Sequence, residues 1–201
     1  MGRDLKRVCV FCGSSMGFDD AYHEKAKELA GVLLDQGIEL VYGGANVGIM
    51  KLLADTMLQG NGKVTGVMPR NLLNREIAHT ELSKLHIVDS MQERKLLMAE
   101  LSDAFIAFPG GFGTLDELAE MITFNQLRIH DKALGILNIN SFFDHLIDFF
   151  EHAFEEGFVR REHINNIIVE EDAACMIDRC KEYKAVKLEK WIDDIREESA
   201  G

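Results

Sequence analysis

The run Pro109-Gly110-Gly111-Phe112-Gly113-Thr114-Leu115-Asp116-Glu117 has the composition of a turn that holds an anion close to a carboxylate. Glycines let a backbone approach a ligand and aim its N–H groups, and a following helix adds the positive end of its dipole. Gly110, Gly111, Phe112, Gly113 and Thr114 follow the apolar stretch Ala104 to Phe108, which is where a phosphate cradle would stand. Two familiar fingerprints fail. A P-loop needs Gly-Lys-Ser or Gly-Lys-Thr, absent here and after Gly43-Gly44, and the pattern G-x-G-x-x-G meets Asp116 at its third glycine. Glu117 also has a purely local explanation, because Thr114-x-x-Glu117 has the spacing of a helix capping box. On local physics the cap and the ligand-facing carboxylate stand level.

A second charged pair bears on the choice. Ser90-x-x-Glu93 is itself a capping-box pattern, which sets Arg94 and Lys95, just after Met91, near the start of a helix. Cations there oppose the helix dipole by roughly 0.3 kcal/mol or more. Two of them at a strand-to-helix edge can neutralise a phosphate or a carboxylate; the competing reading is solvated side chains paired with Glu93 or Glu100. Cys9-x-x-Cys12 has redox or zinc spacing, but it lies in a strand, where residues three apart point to opposite faces. No second Cys-x-x-Cys pair completes a zinc site, so buried, reduced thiols and no metal are expected. His79 and His130 are read as surface or structural groups.

The elements that must position these residues alternate almost from end to end. Short apolar runs at Val8 to Cys12, Ile38 to Tyr42, Val64 to Met68, Leu85 to Val88, Ala104 to Phe108, Leu134 to Ile139 and Ile167 to Val169 read as strands. Helical periodicity fills about Ala21 to Gln36, Gly48 to Leu58, Met91 to Ser102, Thr114 to Leu127, Phe142 to Glu156 and Asp172 to Lys181. A charged helical tail is expected near 187–198, and Arg70 to Lys84 is too mixed to assign. Continuously apolar strands between amphipathic helices mean an α/β fold: a Rossmann-like, doubly wound parallel sheet with helices on both faces. Ligands of such sheets bind beyond the carboxyl ends of the strands. Three turns rich in small residues should share that edge: Gly13-Ser14-Ser15, Gly43-Gly44-Ala45 and the turn at Gly110.

The 201 residues suit one domain spanning 1–201, and 47% hydrophobic with 28% charged residues is an ordinary globular balance. A net charge of −12 disfavours a nucleic-acid or anionic-membrane surface, while leaving room for a small anion held by local cations and amides. The apolar stretch near the N-terminus is too short for a signal-peptide core, and no run of 18 apolar residues follows, so a soluble cytoplasmic protein is expected.

The segment Met91 to Thr123, MQERKLLMAELSDAFIAFPGGFGTLDELAEMIT, closely resembles the Lonely Guy family of cytokinin riboside 5′-monophosphate phosphoribohydrolases. Its signatures M-x-x-R-K and P-G-G-x-G-T-x-x-E are complete and in the family's order, and the likeness runs from the turn at Cys12 through Gly43-Gly44 to Gly157. The resemblance implies hydrolysis of the bond between a purine base and ribose 5-phosphate, with no cofactor. Residue by residue it implies Arg94 and Glu117 as the catalytic pair and Glu76, Lys95, Gly111, Gly113, Thr114 and Thr123 as nucleotide contacts. The motifs and turns add Ser14, Gly43, Gly44, Met91, Gly110 and Phe112 to the substrate-binding candidates. It also implies a homodimer, with higher homo-oligomers open. Related chains carry a lysine decarboxylase label, for which no pyridoxal phosphate site is found here. Related folds include molybdenum-cofactor carriers, so a nucleotide-binding carrier is the alternative. AMP and N6-substituted AMP both stand as substrates.

Overall fold

The computed structural model describes residues 2–73 and 78–185. Its seven strands are β1 (Arg7–Phe11), β2 (Glu39–Tyr42), β3 (Val64–Pro69), β4 (Lys84–Val88), β5 (Ala104–Ala107), β6 (Ala133–Leu137) and β7 (Ile167–Glu170). All pair in parallel in the order β4-β3-β2-β1-β5-β6-β7. The helices are α1 (Asp20–Asp35), α2 (Gly48–Gln59), α3 (Arg70–Leu73), α4 (Met91–Leu101), α5 (Phe112–Gln126), α6 (Asp144–Glu155), α7 (Arg161–Asn165) and α8 (Ala173–Glu182). The doubly wound sheet read from the sequence is therefore present.

Strand alternation builds two cores. Val8 and Val10 of β1, with Cys12 just after it, enter one cluster with Leu29 and Leu33 of α1, Leu53 of α2 and Ile177 of α8. Cys9 and Phe11 enter the other, with Met98 of α4 and Leu118 and Met121 of α5. The two cysteines thus lie on opposite faces of the sheet, and burial pushes both thiols well above their ordinary range. Helix α1 shows the local logic. Asp19 caps it by accepting from Ala21 N at 2.9 Å, and its buried face is Ala26, Leu29, Ala30 and Leu33. Each buried leucine there contributes about 2 kcal/mol by leaving water.

The boundaries differ from the sequence reading where local chemistry is unusual. Helix α5 begins at Phe112, two residues before Thr114, with Gly111 as its N-cap. Strand β6 stops at Leu137, and Ile139–Ser141 form a single 3-10 turn, so α6 starts at Asp144 rather than at Phe142. Asn140 and Ser141 take left-handed φ values of 49° and 58°, which no periodicity announces. The unassigned stretch contains α3 and a bridge between Ala45 and Ala78. Helix α7 was not anticipated, and the tail near 187–198 lies outside the described residues.

Candidate active site

The sheet changes winding direction between β1 and β5, and the turns leaving these neighbouring strands diverge there. Phe108 N donates to Phe11 O at 2.8 Å and Gly13 N to Pro109 O at 3.2 Å, which ties the turns together. With the turn after β2 they border a cavity of about 310 Å³. Its wall includes Ser14, Gly43, Arg94, Gly111, Phe112, Gly113, Thr114 and Glu117. The expectation that three small-residue turns share one edge is met.

Glu117 stands six residues beyond the N-cap of α5, about 9 Å along the axis at 1.5 Å per residue. It cannot reach the helix end, so the capping-box reading of Thr114 and Glu117 is overturned. Thr114 is the third helical residue, and no side chain caps this end. Instead, the Thr114 hydroxyl is buried at the cavity wall and has no hydrogen-bond partner among the described residues.

Glu117 is 6% exposed, and its Oε1 lies 3.1 Å from Nη1 of Arg94. Burial raises the Glu117 carboxyl above the ordinary carboxylate range, the Arg94 charge opposes this, and Asp116 adds to it. Arg94 reaches the cavity because Ser90 caps α4, accepting from Glu93 N at 3.1 Å, while Glu93 Oε2 accepts from Asp89 N at 2.9 Å. Arg94 Nε donates to Val67 O at 3.1 Å. That acceptor is a backbone atom of β3 and has no sequence signature. The solvated pairing with Glu93 or Glu100 is not what the structure shows.

Gly43 makes room for this arginine. A Cβ there would fall 2.0 Å from Arg94 Nη2 and 3.1 Å from Cζ. Gly111 and Gly113 differ, since a Cβ on either meets nothing within 4 Å. Among the described residues their lack of a side chain serves no packing, and it leaves open space beside the cavity they line.

Other sequence-predicted residues fall around this centre. Met91 lies with its sulfur 4.0 Å from Arg94 Nη1. Gly44 takes a left-handed φ of 76° behind the cavity wall. Gly110 lines an adjoining cavity of about 290 Å³ that shares Gly13, Ser14 and Gly111 with the first. Lys95 is not on the cavity wall; it binds Asp116 at 3.1 Å and Glu120 at 3.3 Å, joining α4 to α5. Thr123 lies further along α5, donating to Ala119 O at 2.8 Å. Glu76 lies outside the described residues. Met50, Met68 and Leu72 also line the cavity and were not predicted. Their apolar character made them indistinguishable from core in the sequence. Among the described residues no group of three or more His, Cys, Asp or Glu is arranged to hold a metal ion.

The family model described as possible lysine decarboxylase matches residues 50–180. A probable cytokinin riboside 5′-monophosphate phosphoribohydrolase of Oryza sativa subsp. japonica is 42% identical over 204 residues, covering 98% of this chain and 83% of that protein. A cytokinin riboside 5′-monophosphate phosphoribohydrolase of Arabidopsis thaliana is 42% identical over 179 residues, covering 89% and 84%. The chain belongs to the Lonely Guy family. Among solved structures, a molybdenum cofactor binding protein of Rippkaea orientalis superposes with a TM-score of 0.65 at 20% identity, covering 87% of this chain and 94% of that one. The Chlamydomonas reinhardtii Moco carrier protein gives 0.64 at 18% identity, covering 87% and 94%. At such identities the likeness is one of fold. In this Lonely Guy chain both family signatures converge on one cavity, through Arg94 and Glu117.

Proposed function

We propose that the chain hydrolyses the N-glycosidic bond of adenine or N6-substituted adenine riboside 5′-monophosphates, releasing free base and ribose 5-phosphate. The observation that carries this reading is the buried Arg94–Glu117 pair, 3.1 Å apart, on a cavity that also holds the glycine-rich start of α5. A 5′-phosphate at the amides of Gly111 to Thr114 puts the ribose along α5 toward Glu117. As the C1′–N9 bond breaks, its electron pair leaves with the base and positive charge builds on the ribose ring. The Glu117 carboxylate opposes that charge and takes a proton from the water that bonds to C1′; the proton then passes to the departing base, which leaves neutral, and the carboxylate is restored. Arg94 favours the ionised form of Glu117 against the opposing effect of burial. The unpartnered Thr114 hydroxyl is available to a phosphate oxygen.

The same reading takes the molecule as a homodimer or larger homo-oligomer in the cytoplasm, acting without metal or cofactor. Phe112, 92% exposed, and Leu115, 42% exposed, support a second copy close to the cavity. No helix among the described residues is long and apolar enough to cross a membrane.

The test is incubation of purified protein with AMP and with N6-isopentenyl-AMP, followed by chromatography for free base. Release from either supports the hydrolase. Tight binding of both with no base released supports a carrier instead.

A further inference from the structure

His79 is 3% exposed and stands apart from the cavity, yet its bonds lead to the cavity wall. Its Nε2 lies 2.9 Å from Asp55 Oδ1 on α2, and its Nδ1 accepts from Glu81 N at 3.2 Å. Since Nδ1 is an acceptor, the ring is the neutral tautomer that donates from Nε2 to Asp55. The same residue's backbone N donates to Gly44 O at 2.9 Å, and Ala78 beside it bridges Ala45. From the other side Lys51 joins Asp55, at 3.2 Å, to Asn46 Oδ1, at 2.9 Å. Burial would raise the Asp55 carboxyl, but the His79 and Lys51 bonds outweigh it and hold the group ionised below its usual range.

The turn after β2 is therefore gripped at Gly44, Ala45 and Asn46. Of this turn Gly43, Ala45 and Val47 line the cavity, and Gly43 is the seat of the Arg94 guanidinium. We propose that His79 and Asp55 are a positioning pair for the active site: they hold the Gly43–Val47 wall where Arg94 meets Glu117. This rests on the activity proposed above. A buried histidine that served packing alone would need volume and no donor, whereas a positioning histidine needs its bond to Asp55.

The experiment compares His79→Leu, which fills the space without the bond, with His79→Gln, which returns a donor near Nε2. Turnover is measured with N6-isopentenyl-AMP, inhibition with ribose 5-phosphate, and the Arg94 Nε–Hε resonance is followed by ¹⁵N NMR in the free protein. The resonance is assigned by its loss in Arg94→Lys. Expected in His79→Leu is a fall in kcat of about 10- to 100-fold, the scale of an ångström-sized misplacement. The ribose 5-phosphate constant should stay within about threefold, because α5 is not touched, and the Arg94 resonance should move. His79→Gln should recover most of the kcat and the original resonance. The proposal is overturned by a folded His79→Leu with normal kcat and an unmoved resonance. It is equally overturned if the two variants lose the same kcat, or if inhibition weakens in step with turnover. Should His79→Leu not fold, Asp55→Ala removes the acceptor from a side chain 31% exposed and is judged by the same readouts. If the unsubstituted protein releases no base, the activity reading fails, and the resonance alone decides the positioning role.

Discussion

Replacing Gly43 with alanine adds one methyl group, and the geometry says where it lands. The new Cβ would be 2.0 Å from Arg94 Nη2, whereas real Cβ atoms essentially never approach a heavy atom closer than 3.0 Å. The guanidinium must withdraw by about 1 Å or more, and its 3.1 Å contact with Glu117 is lost. Misplacement on this scale costs about 100-fold in rate, or about 2.7 kcal/mol of barrier. The effect on folding should be smaller, about 1 kcal/mol, because neither charge is deleted and the arginine can turn toward the open cavity. The assay is kcat/KM for N6-isopentenyl-AMP beside a thermal melt. A double-mutant cycle with Arg94→Met then isolates the route. If Gly43 acts through Arg94, Gly43→Ala adds nothing in the Arg94→Met background. Losses that multiply, or a Gly43→Ala protein with normal kcat/KM, would mean that Gly43 does not act by seating Arg94.

Four further outcomes follow from the same geometry. Glu117→Gln should reduce turnover below detection while the melting temperature holds; near-normal activity with a lowered melt would return Glu117 to a purely structural role. Gly111→Ala should leave the melt unchanged, since its Cβ meets nothing within 4 Å, yet weaken ribose 5-phosphate binding at least tenfold by calorimetry. Thr114→Val should fold within about 1 kcal/mol of the original, because it removes a buried hydroxyl that has no partner, and should weaken the same binding. The pH dependence has two parts. The acid limb of kcat/KM should lie above the ordinary carboxylate range, and Arg94→Met should move it higher, since burial raises the Glu117 carboxyl and Arg94 lowers it. For folding, a raised carboxyl means the native state binds more protons than the unfolded chain. Stability from this group is then present below the unfolded value of about 4.3 and declines as pH rises through the folded one. Glu117→Gln should flatten that decline in urea titrations.

Much of the framework was legible because its signals are local. Buried parallel strands are continuous apolar runs, and small-residue turns mark their ends, so the shared edge carrying Gly13, Gly43 and Gly110 followed directly. The start of α5 was misplaced because two residues with weak helical preference, Phe112 and Gly113, open it, while Thr114 looked like the cap. That offset decided between two readings of Glu117, which six residues from the cap is out of its reach. What the sequence concealed were relations between distant positions. Nothing along the chain says that Arg94 leans on Val67 O, that Gly43 is small to admit it, or that Lys95 turns from the cavity to Asp116 and Glu120. The adjacent residues Arg94 and Lys95 looked equivalent; both reach α5, but Arg94 meets Glu117 on the cavity wall and Lys95 meets Asp116 and Glu120. Left-handed Asn140 and Ser141 likewise broke an expected helix start with no glycine to announce them.

Cleavage of a nucleotide at C1′ by Glu117 beside Arg94 stands or falls on a matched product balance. Purified protein and its Glu117→Gln variant are given N6-isopentenyl-AMP, and free base, ribose 5-phosphate and inorganic phosphate are quantified together. Base and ribose 5-phosphate should appear in equal amounts from the unsubstituted chain, with no inorganic phosphate, and neither product from the variant. Intact nucleotide recovered from the unsubstituted protein, or equal base release from both proteins, would contradict this mechanism.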